Sequence, residues 1–215
     1  MEYRTVYQGG KGEIVEKKSR FIAEVFLVHS EEEAMQYLEQ VRKKYWDARH
    51  HCWAYVIGEE RVTERCSDDG EPSGTAGKPI LKVIRGAGLH NIFVVVTRYF
   101  GGTLLGTGGL VRAYTESARE GISHSQIITK IYGFKLNLTT DYTGLGKIQY
   151  LLGQRGLTIL DSVYTEKVDL TVLIPKEEES KLIAEITEAT NGQTGITRTG
   201  ECWFANVDGE MVVFE

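Results

Sequence analysis

The chain of 215 residues has little cysteine and little proline, three of each. Cys52, Cys66 and Cys202 form an odd, scattered set with no CxxC pair. Such a set fits a reducing compartment better than a disulfide framework. No apolar run approaches ~18 residues, so no transmembrane helix and no membrane partner are expected. The opening Met1-Glu2-Tyr3-Arg4-Thr5-Val6 lacks the apolar core of a secretory signal, which points to a cytoplasmic chain. Two nucleotide fingerprints are also missing. No lysine follows the glycines as GxxxxGK[ST] requires, and Val111 stands where GxGxxG needs its third glycine. Nor is there an excess of positive charge. Residues 1–127 carry 17 basic and 17 acidic side chains; residues 128–215 carry 8 and 13. Any surface for a polyanion is therefore a local patch in the first part.

Glycine, in contrast, is abundant and concentrated: ten of the 24 glycines fall within residues 70–109. Ile92 to Val96 reads as a buried strand and Leu110 to Ala118 as a helix. Between them, five of the nine residues from Gly101 to Gly109 are glycine. A strand, a glycine loop and a helix start let a ligand approach the backbone, and the first helical amides favour an anion. Arg98 and Arg112 flank this loop. The candidate anion or nucleic-acid site is accordingly Arg98, Gly101, Gly102, Thr103, Gly106, Thr107, Gly108, Gly109 and Arg112. Lys17, Lys18, Arg20, Lys82 and Arg85 are expected on the same side, and Tyr99, Phe100 and Tyr114 are candidates to stack on bases. The plain alternative is a tight connection whose glycines serve only packing.

A second loop runs from Ser67 to Pro79, polar and long for a plain connection. Asp68, Asp69, Glu71 and Ser73 are its candidate cation-holding residues. No cofactor is required, but the set is of the kind that holds magnesium; the alternative is that they make turn hydrogen bonds and cap the next helix. Ser67 or Ser73 would need His50 or His51 as a base, and no base–nucleophile pair is evident. The two histidines are neighbours on a strand and face opposite ways, so they do not chelate one metal, and a structural role is expected for each.

Elsewhere the pattern is regular. Glu13–Lys17, Arg20–Val28 and Cys52–Ile57 read as strands. Ser30 caps a helix carrying Ala34, Leu38 and Val41, and Pro79 opens another. Periodicity restarts after Ser123–Thr129: strand 131–138, a helix from Asp141, strands 157–164 and 168–174, a helix from Pro175, and strands 194–205 and 211–214. This is the β-α-β-β-α-β order of a ferredoxin-like domain. The chain reads as α+β with two domains, 1–127 and 128–215.

Three stretches carry a resemblance. Lys18-Ser19-Arg20-Phe21, the loop Ser67 to Gly77, and Val96-Thr97-Arg98-Tyr99-Phe100-Gly101-Gly102 with Leu105 to Tyr114 resemble the IMPACT family, in its bacterial YigZ/YvyE branch. The resemblance implies a first domain like the second domain of a small-subunit ribosomal protein and domain four of elongation factor G. It implies a C-terminal domain like domain five of that factor. Eukaryotic relatives act in translational control, so the resemblance implies a translation-associated protein whose partner is RNA or the ribosome. A magnesium-dependent enzyme acting on a phosphorylated small molecule and a protein-binding regulator are the alternatives.

Overall fold

The structure, a computed structural model, describes residues 1–214. Its internal packing divides the chain into two compact units, Tyr3–Ile128 and Thr129–Glu215, the latter joined by Met1–Glu2.

The first unit runs β1 (Glu2–Gln8), β2 (Lys11–Glu16), β3 (Ser19–Leu27), α1 (Glu31–Lys44), β4 (His50–Ile57), β5 (Thr63–Ser67), α2 (Gly77–Ala87), β6 (Leu89–His90), β7 (Ile92–Tyr99) and α3 (Gly106–Ser123). Strands β2, β3, β7, β4 and β5 form one antiparallel sheet in that spatial order. β1 pairs in parallel with β6 beside it. Both faces of the sheet are covered, and the period of two sorts the side chains between them. Phe21, Ala23, Val25, Cys52, Ala54, Val94 and Val96 join a core with Ile80 and Ile84 of α2 and Leu110, Tyr114 and Ala118 of α3. Val28, Tyr55, Phe93 and Val95 face the other way and pack on Ala34, Leu38 and Val41 of α1.

Local chemistry sets the helix ends. Ser30 caps α1, its hydroxyl accepting from the Glu33 amide at 3.2 Å. Glu31, Glu32 and Glu33 fill its first turn, and Arg42, Lys43 and Lys44 its last, so both ends suit the helix dipole. α2 begins two residues before Pro79, and α3 begins four residues before Leu110. The last four residues of the glycine loop are therefore the first turn of a helix.

The second unit contains β8 (Gln126–Thr140), α4 (Tyr142–Gln154), β9 (Ile159–Tyr164), β10 (Val168–Pro175), a single 3-10 turn (Lys176–Glu178), α5 (Glu179–Ala189), β11 (Gly195–Val207) and β12 (Glu210–Phe214). Its strands run antiparallel in the order β9-β10-β8-β11-β12. Ile148, Leu152, Leu182 and Ile186 of the two helices bury one face against Phe134, Leu136, Leu138, Leu170 and Val172. Asp141 caps α4 through the Gly144 amide at 2.7 Å. Pro175 precedes the 3-10 turn, and the α-helical run starts at Glu179.

Candidate nucleic-acid interface

The candidate site lies at one end of the first unit, where the β2–β3 hairpin, the loop after β7 and the start of α3 meet. The hairpin turn is Lys17-Lys18, and both residues have positive φ, 45° and 67°. That conformation suits a two-residue hairpin, but asparagine and glycine adopt it at far less cost than lysine. A Cβ on Gly101 would fall on the Lys18 carbonyl and the Ser19 amide. Glycine at 101 therefore lets the loop seat against the hairpin tip. The Gly101 amide donates to Ser19 Oγ at 3.1 Å, which completes the joint.

Arg98 requires a correction. It is buried, 6% exposed, and its guanidinium donates to Glu71 Oε1 at 2.7 Å. The rings of Phe21 and Phe100 flank it at 5.4 and 5.7 Å. Tyr114 is fully buried too, its hydroxyl donating to the same Glu71 oxygen at 2.8 Å, and Cys52 Sγ lies 3.3 Å from that hydroxyl. Burial pushes both the Tyr114 hydroxyl and the Cys52 thiol up from their ordinary values, so both are protonated donors. Arg98 and Tyr114 are therefore turned inward, where they tie β7 and α3 to the loop that carries Glu71. The Gly101 amide, spent on Ser19, is removed from the anion-binding set as well.

The acidic loop is likewise engaged with internal partners. Asp68 Oδ1 accepts from the amides of Ala76 and Gly77 at 3.0 and 2.8 Å, and Oδ2 from Gly74 at 2.8 Å. Residue 76, at the start of α2, makes no side-chain cap, so Asp68 caps that helix from the loop. Burial raises the Asp68 pKa, but the three amides and Lys78 outweigh it and hold the carboxyl below the ordinary aspartate value. Asp69 accepts from the His51 amide at 2.7 Å and from Arg42 at 3.1 Å. Glu71 is taken by Arg98 and Tyr114, and Ser73 is exposed. The carboxylates address separate donors, and among the described residues no group of three or more His, Cys, Asp or Glu side chains converges on one point. The histidines are used locally: His50 Nδ1 lies 2.9 Å from the Asp69 carbonyl, and His51 Nε2 3.2 Å from that of Tyr45.

What remains open is the outer half of the glycine loop. Gly102, Thr103, Leu104, Gly106, Thr107 and Gly108 are exposed, and Gly109 is half-buried. Gly102 and Gly106 have φ of 84° and 71°, where a side chain would be strained. Leu105 at the head of α3 supplies no side-chain cap, and the first turn holds no carboxylate. These amides face solvent at the positive end of an 18-residue helix. Arg112 is exposed one turn further on. With Lys17, Leu105, Gly109 and the carboxylates Glu16 and Glu116 it lines a depression of about 560 Å³ between the hairpin and α3. Phe100 is 55% exposed at the root of the loop. Tyr99 is half-buried, beneath Arg20, and donates to Asp47 at 2.8 Å. Arg20 and Arg85 are bound to Glu13 and Glu64. Lys82 lies on a different face, along α2.

These motif stretches fall within a match to known families. Residues 17–122 match the model of the Impact N-terminal domain, and residues 138–193 match one described as a domain of unknown function, DUF1949. The chain is 41% identical over 194 residues to IMPACT family member YvyE of Bacillus subtilis, covering 90% of this chain and 89% of that one. The chain belongs to the IMPACT family. It is also 39% identical to IMPACT family member YigZ of Escherichia coli, over 82% of this chain and 87% of the relative. A crystal structure described as that of a hypothetical protein superposes with a TM-score of 0.60 at 35% identity, covering 93% of this chain and 98% of that one.

Proposed function

We propose that this IMPACT family chain is a cytoplasmic, translation-associated regulatory protein that binds RNA, free or on the ribosome, with the outer face of its first domain. The observation that carries the reading is the uncapped start of α3, with solvent-facing amides from Gly106 to Gly108 beside Arg112, Lys17 and Lys18. Among the described residues, none of these three cations has a carboxylate partner. Backbone amides and free cations suit phosphates, and the exposed ring of Phe100 suits a base. The likeness of the first domain, 1–127, to a ribosomal-protein domain and to domain four of elongation factor G belongs to the same reading. For the second, 128–215, the antiparallel order β9-β10-β8-β11 supports a ferredoxin-like assignment.

The test is binding of a structured RNA followed across rising salt. Affinity should fall linearly with the logarithm of salt concentration. Arg112→Ala with Lys17→Ala should weaken binding and reduce the salt slope by about 2, roughly one for each phosphate left without its cation. Unchanged affinity and slope in that variant would overturn the proposal.

A further inference from the structure

A second surface of the first unit is separate in character. Helices α2 and α3 bound an open groove of about 750 Å³. Lys78 and Lys82 stand on its α2 side, one turn apart, and Arg119 on its α3 side. All three are exposed, and no carboxylate lines the groove. Among the described residues neither lysine forms a salt bridge; Lys78 acts only electrostatically on Asp68, and Arg119 reaches only Glu116, at 3.6 Å on the surface. The floor is aliphatic: Pro79, Val83, Val111 and Ile122. Gly86 lies along the groove and a Cβ there would meet nothing within 4 Å. Alanine at a helix-interior position is worth up to ~1 kcal/mol over glycine, so Gly86 forgoes stability and leaves the groove unfilled.

We propose that this groove docks an acidic amphipathic helix of a partner protein. The charge complement carries the choice of partner. Three cations around an apolar floor, in a chain of net charge −5, match a segment with leucine-type anchors flanked by carboxylates. The lining repeats at helical spacing, 78, 82 and 86 on α2 and 111, 115 and 119 on α3. It therefore runs for about two turns, ~12 Å, enough for the i, i+3, i+4 and i+7 anchors of one helix. RNA fits it less well. No aromatic ring lines the groove to stack on a base, and a phosphate gains nothing from the aliphatic floor. The inference stands apart from the RNA proposal, which rests on the glycine loop and its neighbours.

The test is fluorescence anisotropy of a labelled synthetic helix of ~16 residues, leucine at the anchor positions and glutamate elsewhere, titrated with the full chain. The peptide should bind saturably. Lys78→Glu with Lys82→Glu should weaken it at least ~tenfold, as should Gly86→Leu, which fills the groove without altering charge. Arg112→Ala should leave it unchanged, and a peptide with lysine for glutamate should not bind. Circular dichroism checks that each variant is folded. No saturable binding up to ~1 mM peptide overturns the proposal. So does equal binding by the charge-reversed variant. Two further outcomes do the same: an RNA that binds with loss on Lys78→Glu/Lys82→Glu while the peptide does not, and self-association of the chain abolished by that variant without peptide binding.

Discussion

Arg98 shows how one side chain can look like a ligand-binding group and be a strut. It sits on β7 two residues after Val96 and four after Val94, and those two valines face the core beneath α2 and α3. The alternation alone places Arg98 on that covered face, and this is the signal in the sequence for its burial. Its partner was not legible, because Glu71 comes from a loop 27 residues away and only the fold brings it near. Breaking one side of such a buried pair leaves the other charge without compensation. Glu71→Ala or Arg98→Ala should each cost about 3–5 kcal/mol in urea denaturation, while Arg98→Met with Glu71→Leu should recover much of that loss. Single variants within ~1 kcal/mol of the parent would show that the pair does not hold the loop. Glycine gives a second contrast at this scale. Gly101→Ala should force the loop off the hairpin and destabilise the domain. Gly108→Ala meets nothing within 4 Å and should be neutral or stabilising by up to ~1 kcal/mol, yet weaken RNA binding by crowding the amides. Equal RNA affinity in Gly108→Ala would place the phosphate elsewhere.

Among the elements, those with strong local signals were readable from the sequence. Ser30 with three glutamates behind it, the β-branched run of β7 and the Asp141 cap each fix a boundary through neighbours in the chain. β1, β5 and β6 were not readable. β6 has two residues, and β5 is Thr-Glu-Arg-Cys-Ser, whose polar composition gives no apolar alternation. α3 starts four residues before its first apolar position because glycine at 106, 108 and 109 reads as loop. The cap of α2 was hidden for another reason: Asp68 acts from eight residues upstream of Ala76. That cap has a pH signature. The folded carboxyl lies below its ordinary value, so the unfolded chain binds the proton more readily. The stabilisation is complete above the unfolded value of ~3.9 and disappears as pH falls through the folded value below it. Asp68→Asn should lower stability by about 1–3 kcal/mol at pH ~6, and the difference from the parent should narrow toward pH ~3. A difference independent of pH would mean that the charge on Asp68 contributes nothing.

For the molecule as a whole, the motif that identifies the family has two jobs. Its charged and aromatic members build a scaffold: Arg98, Tyr114 and Glu71 are buried, and half-buried Asp68 caps α2. Its outer glycines, with Arg112 and the Lys17-Lys18 turn, are left at the surface. The α+β, two-domain plan was legible because periodicity restarts after Thr129, near where the packing divides the chain. The division of labour within the motif was not, since it depends on which residues the fold covers. On the proposed reading, the exposed half of the motif binds RNA phosphates. The most direct measurement is the salt slope of RNA binding for the parent chain and for Arg112→Ala with Lys17→Ala. A steep slope in the parent that becomes shallower by about 2 in the variant is the result expected. Identical slopes and affinities in the two proteins would contradict it.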